Sequence, residues 1–172
     1  MCISTKHKNI TLTYCFTIML LFVFNVSDAQ PELPQRSNTL RAKQSIHFGS
    51  FCITGAGGGT VSVGYDGSRT ATGNIVLLNI PPYATPAIFE IKLGRNSTVG
   101  INYEPPYIML TGNSGSISLV IGPTDKGSDG ASFAINANIV SQLKVGGILT
   151  VTGTSPPGYY SGNFAIRFTQ QQ

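Results

Sequence analysis

The chain has 172 residues, with 11 lysines and arginines against 7 aspartates and glutamates, for a formal net charge of +4. Only 10% of it is charged; glycine, serine, threonine and asparagine take the place of charge. Three cysteines are too few for a disulfide scaffold.

In chain order, Lys6, His7 and Lys8 form a short basic region, and residues 12–24 form an apolar run. Ser27-Asp28-Ala29 then supplies small residues before a cut between Ala29 and Gln30. This is the layout of a secretory signal peptide over residues 1–29. The competing reading is a membrane anchor, but the run is shorter than the roughly 20 apolar residues a spanning helix needs. Cys15 follows Tyr14 rather than a small residue, which argues against a lipid-anchored cysteine. No second run of spanning length follows. The expectation is an exported chain, periplasmic, cell-surface or secreted, with no membrane span after cleavage.

Cleavage leaves nine basic and six acidic residues, a charge of +3, with Cys52 as the lone cysteine. The basic residues are scattered along the sequence, whereas a nucleic-acid surface gathers them on one face, so no nucleic-acid partner is expected. Cys52 sits in Phe51-Cys52-Ile53 and reads as a small buried hydrophobe. With no intramolecular disulfide available, the fold must be held by its core. Residues 30–44 are polar, with two prolines and mixed charge, and read as a linker or disordered leader. The domain is expected over residues 45–172, long enough to bury about two-thirds of its unfolded surface.

Within that domain, alternation with period two replaces any helical signal. A first strand is expected over residues 45–53 and a second over 60–65, where Val61, Val63 and Tyr65 share a face. Further faces are Ala87, Phe89, Ile91 and Leu93; Ile117, Leu119 and Ile121; Phe133, Ile135, Ala137 and Ile139; Leu149 and Val151; and Phe164, Ile166 and Phe168. Residues 138–143 could form one helical turn. Turn signals stand at Asp66-Gly67, Gly94-Arg95-Asn96, Gly112-Asn113, Asp129-Gly130, Gly146-Gly147 and Pro156-Pro157-Gly158. About eight or nine strands result. The predicted fold is all-β, an immunoglobulin-like β-sandwich, with a closed β-barrel as the alternative.

Several short pieces carry a family resemblance: His47-Phe48-Gly49, Gly57-Gly58-Gly59-Thr60-Val61, Gly67-Ser68-Arg69, Ala87-Ile88-Phe89, residues 145–151 (VGGILTV) and residues 157–164 (PGYYSGNF). In this order and spacing the chain resembles the bacterial family called domain of unknown function 4402, over essentially residues 45–169. The resemblance implies an exported β-sandwich protein, distantly similar to pilin-like and spore-coat-like subunits.

A search for chemistry finds no catalytic, cofactor-binding or metal-binding set. His47 is the only histidine left after cleavage and alternates outward between Ile46 and Phe48. Asp66 reads as a turn residue and Glu90 as an outward strand residue. Asp125 and Asp129 share one loop, but their spacing lacks the full pattern of a calcium loop. Gly57-Gly58-Gly59 lacks the lysine, hydroxyl and helix of a phosphate loop and reads as a bend. Asn96-Ser97-Thr98 matches a glycosylation sequon and reads as a turn.

Proline pairs lead into Tyr83, Tyr107 and Tyr159, and two such stiffened loops could form an aromatic platform at one end of the sandwich. The plainer reading is that each ring covers an edge of the core. The C-terminal alternation over residues 162–169 is expected to close its own sandwich; otherwise it would pair with a neighbour. Two functions remain. The first is a non-enzymatic structural or adhesive surface protein whose partners are other surface subunits. The second is a secreted module that binds a glycan or a protein.

Overall fold

The computed structural model describes residues 37–105, 107–112 and 115–171. The expected signal peptide, its cleavage point at Ala29 and Gln30, and residues 30–36 of the polar leader lie outside the described residues. Thirteen strands and no helix occur among the described residues. They are β1 (Thr39–Gln44), β2 (Phe51–Ile53), β3 (Gly59–Val63), β4 (Arg69–Gly73), β5 (Ile75–Leu77), β6 (Ala87–Lys92), β7 (Ser97–Glu104), β8 (Tyr107–Gly112), β9 (Gly115–Thr124), β10 (Ser132–Ile135), β11 (Val140–Val151), β12 (Tyr160–Ser161) and β13 (Ala165–Gln171).

An eight-stranded sheet runs β1-β6-β11-β9-β8-β12, with β3 paired to both β11 and β4. A three-stranded sheet, β10-β7-β13, and the β2-β5 pair complete the architecture. All pairings between named strands are antiparallel. The core is a single cluster drawn from all three sheets: Val61, Ile91, Leu119, Leu143 and Leu149 from the first, Val99, Ile101 and Ile135 from the second, and Ile75 from the third. Phe89 of the large sheet meets the edges of Phe164 and Phe168 at centroid distances of 6.1 and 6.2 Å, which ties β6 to the C-terminal strand. The expected all-β, sandwich-like fold is therefore present. So is the self-closure of the C-terminal strand, since β13 pairs with β7 along its whole length.

The expected alternations over β3, β6, β9 and β13 hold because each of these strands turns one face to the core. Segments without that asymmetry escape the pattern, and four expectations need correction. First, Thr39–Gln44 is not leader but β1, paired antiparallel to β6. It lies at the sheet edge with Thr39 to Lys43 exposed, so backbone pairing rather than burial forms it, and no apolar signal is required. Second, residues 138–143 do not make a helical turn; Val140 opens the twelve-residue β11. The three-residue spacing of Val140 and Leu143 suits a helix, but in the strand it sends them to opposite faces: Leu143 is buried and Val140 is exposed.

Third, Gly146-Gly147 is not a turn but the bend at the centre of β11. The first half of β11 pairs with β6 and the second half with β3 along the same edge, while β9 follows the other edge with a register shift between Val145 and Gly147. A Cβ on Gly146 would lie 2.5 Å from the Val63 carbonyl oxygen. The glycine thus lets β3 close in where β6 leaves off. Fourth, Cys52 is exposed, not buried. It is the middle residue of a three-residue strand whose neighbours Phe51 and Ile53 turn inward.

Candidate functional site

The outer face of the eight-stranded sheet is a surface not used by the core. Register assembles it in rows. Tyr107, Val120, Ile148, Ser62 and Thr70 stand opposite one another across β8, β9, β11, β3 and β4. The next row is Met109, Ser118, Thr150, Thr60 and Thr72. Tyr107, Met109, Val120 and Ile148 are 63%, 54%, 43% and 39% exposed, so four neighbouring apolar side chains face outward together. Beside them the hydroxyls are paired: Thr60 with Thr72 at 2.7 Å between Oγ1 atoms, and Ser62 with Thr70 at 2.6 Å. One half of the face is therefore apolar and hydroxylic.

The bend at Gly146 divides this half from a second one on β1, β6 and the first part of β11. Here Arg41 faces Glu90, and Glu90 faces Gln142. Lys43 Nζ lies 3.9 Å from Glu90 Oε1, and Gln142 Nε2 donates to the same oxygen at 3.4 Å. An open groove lies here, lined by Ser37, Thr39, Arg41, Glu90, Lys92 and Val140. The scatter of basic residues along the sequence is thus misleading: Arg41, Lys43, Lys92 and Lys144 come from three strands, and pairing gathers them. Their signal lies in register, not in spacing.

The residues singled out from sequence fall elsewhere. His47 is exposed, as expected, and its backbone bridges Thr85. Asp66 holds the β3–β4 turn: its Oδ1 accepts from the Ser68 backbone N–H at 2.9 Å and from the Ser68 hydroxyl at 2.6 Å. These bonds, the hydroxyl first, keep its carboxyl below the ordinary 3.8. Asp125 Oδ1 accepts from the Lys144 backbone N–H and Asp129 Oδ1 from that of Tyr103, each at 2.8 Å. Both carboxylates of the loop thus tie it to neighbouring strands. Asn96 Oδ1 accepts from the Ala137 backbone N–H at 2.7 Å.

Of the three proline-led tyrosines, Tyr107 and Tyr159 do not share one end of the sheet. Tyr107 opens β8, whereas Tyr159 precedes β12, whose Tyr160 pairs with Gly112 at the far end of β8. Five residues of strand, about 17 Å at the usual rise, separate those levels. Tyr83 stands in the β5–β6 loop, two residues before the Thr85 bridge. All three rings are exposed, so they do not cover the core edge either. Among the described residues no group of three or more His, Cys, Asp or Glu side chains is placed to hold a metal ion. No helix among them is long and apolar enough to cross a membrane.

Tyr103 is the buried ionisable group nearest the Asp129 loop. Its hydroxyl has no hydrogen-bond partner and packs under Gly122. Burial, and secondarily the Asp129 charge, push its pKa above the ordinary 10.0. The folded state therefore holds this proton more tightly than the unfolded chain, and its contribution to stability is lost as pH rises above 10 through the folded value. Tyr103→Phe is expected to remove that alkaline loss and to raise stability at neutral pH by about 1 kcal/mol, because an unpaired buried hydroxyl disappears. Urea unfolding at pH 7 and pH 10.5 checks it; a variant that keeps the wild-type pH slope refutes it.

Comparison with known families finds a match over residues 39–169 to the family described as Domain of unknown function (DUF4402). The match begins at the first residue of β1 and ends within β13, so it spans the whole set of sheets. No curated protein and no solved structure matches the chain.

Proposed function

As the chain belongs to the DUF4402 family, whose description names a domain and no activity, we propose that it serves as an exported, non-enzymatic structural or adhesive surface protein, with a pilus-like or coat-like subunit as its most specific form. The observation that carries this reading is the outward row Tyr107, Val120 and Ile148 with Met109 beside it. Exposed apolar side chains are common singly, but three in register with a fourth beside them on one sheet face form a patch of the kind that marks a contact surface. An outward sheet face flanked by paired hydroxyls suits a second protein surface better than a small molecule, which calls for a concave site. The occupant that fits a structural subunit is a second copy of this chain.

The triple variant Tyr107→Ser, Val120→Thr, Ile148→Thr keeps β-compatible side chains and removes the apolar row. Sedimentation velocity over a wide concentration range is expected to show self-association of the wild-type protein and at least tenfold weaker association of the variant, a loss of about 1.4 kcal/mol. A wild-type protein that stays monomeric at every concentration, or a variant that associates equally well, overturns the reading. The alternative, a stand-alone glycan- or protein-binding module, is favoured by the polar groove at Arg41, Glu90 and Lys92.

A further inference from the structure

Around Glu90 the sheet concentrates positive charge that the sequence spreads over about a hundred residues. Alternate residues of a strand share a face. Thr39 and Arg41 of β1, Ile88, Glu90 and Lys92 of β6, and Val140, Gln142 and Lys144 of β11 therefore stand together, in the rows Thr39–Lys92–Val140, Arg41–Glu90–Gln142 and Ile88–Lys144. Lys43 reaches the same carboxylate from the β1 bulge. Asp125, beside the Lys144 backbone, is paired with Lys126 at 3.1 Å. Lys43 thus contacts this carboxylate while Arg41, Lys92 and Lys144 hold neighbouring register positions on the same face, and among the described residues these three have no ion-pair partner. Like charges so close repel one another, and an anion in the groove relieves that repulsion.

We propose that this groove binds a carboxylated sugar of an acidic polysaccharide, with Arg41 and Lys92 holding the carboxylate. This deepens the binding-module reading and does not depend on self-association through the apolar row. The chemistry of the groove selects the class. Arg41 offers the planar fork that matches a carboxylate, and Lys92 a point charge on the neighbouring strand. Ser37 and Thr39 supply hydroxyls, and Glu90 and Gln142 supply acceptors for sugar hydroxyls. The groove is open, with a volume of about 270 Å³. That is slightly below the roughly 300–1,000 Å³ of a pocket built for a whole ligand, and it suits one unit of a chain that continues on either side. Single-stranded nucleic acid would call for aromatic side chains to stack its bases. The groove lining has none.

Titration calorimetry of the protein with polygalacturonate, dextran, single-stranded DNA and phosphatidylglycerol vesicles tests this. Polygalacturonate is expected to bind, to weaken with added salt, and to bind more tightly than the other three. The double variant Arg41→Gln, Lys92→Gln is expected to lose about tenfold or more in affinity. The double variant Arg95→Gln, Arg167→Gln, which removes the same charge elsewhere, should stay within about twofold. Absence of polygalacturonate binding, equal losses in the two variants, or tighter binding of DNA or vesicles overturns the proposal. Circular dichroism of each variant confirms that it is folded, and sedimentation of the groove variant is expected to match wild type. Failure here therefore leaves the self-association reading standing, and failure there leaves this one.

Discussion

Gly58→Val is expected to destabilise the protein by at least about 3 kcal/mol, the largest effect of any single change considered. Gly58 has φ of +65°, a conformation that costs an ordinary residue about 1–2 kcal/mol and a β-branched one more. A Cβ there would fall on the Val151 carbonyl oxygen and within 2.8 Å of the Gly153 nitrogen. Both obstacles are backbone, so no side chain can swing aside. The Gly58 carbonyl also accepts from the Asn74 backbone N–H at 2.8 Å, which fixes the loop from its other side. Moving Gly58 outward would therefore break the junction of β3, β5 and the end of β11 together. The comparison that isolates the steric part is Gly67→Ala. Gly67 also has positive φ, +84°, but nothing lies within 4 Å of its would-be Cβ, so only the backbone cost of about 1–2 kcal/mol applies. Urea midpoints for the two variants decide the matter. Equal losses would mean that the close packing of this loop contributes nothing.

Arg69→Met should lower stability by about 2–3 kcal/mol, and Arg69→Lys should recover less than half of that. The guanidinium of Arg69 crosses from β4 to the strands flanking β2 and β5. It donates to the Leu78 carbonyl at 3.1 Å and to the Ser50 carbonyl at 2.7 Å. Ser50 O also accepts from the Leu78 backbone N–H, so it keeps one partner when the arginine goes, whereas the bond to Leu78 O is lost outright. Gly49 packs on the guanidinium: a Cβ there would sit 3.0 Å from Arg69 Cζ. Burial draws the arginine pKa below its ordinary value, with no carboxylate in contact to offset it, and Nε has no partner. The residue thus carries a desolvation cost for the sake of two carbonyl contacts made from two separate nitrogens of a rigid fork, where lysine has a single nitrogen. Methionine preserves the stem and separates that geometry from simple packing. A loss under about 0.5 kcal/mol would show that regained desolvation cancels the bonds.

These two residues explain why the family resemblance locates structure rather than a site. His47-Phe48-Gly49 and Gly67-Ser68-Arg69 are two sides of one clamp, and Gly57-Gly58-Gly59 is the close approach of a loop to the end of β11. Gly58 and Gly59 are there because backbone lies where a side chain would go. Residues 145–151 form the bent half of β11, where Gly146 lets β3 replace β6 as the partner. Each of these pieces specifies a junction between strands.

Much of the fold was legible in the residues. Val61 and Val63, Ile117, Leu119 and Ile121, and Leu149 and Val151 alternate inward and all are buried, because a half-buried strand writes its burial into a period of two. Asp66-Gly67 marks the β3–β4 hairpin because few residues other than glycine accept the positive φ that Gly67 takes there. What escaped were elements without a burial contrast: β1, whose side chains are almost all exposed, and β7, whose run Val99-Gly100-Ile101 is buried on both sides. Cys52 escaped because an apolar neighbourhood in sequence says nothing of which face a middle residue takes.

By itself, then, the sequence determined the all-β class, most hairpins and most of the core, since these depend on contacts between near neighbours or on burial that alternates along one strand. Only the tertiary structure decided what the outer face presents. The apolar row joins residues 107, 120 and 148, and the basic groove joins residues 41, 90, 92 and 140. Cross-strand register sets both, and a slip of one residue would turn every one of those side chains to the other face.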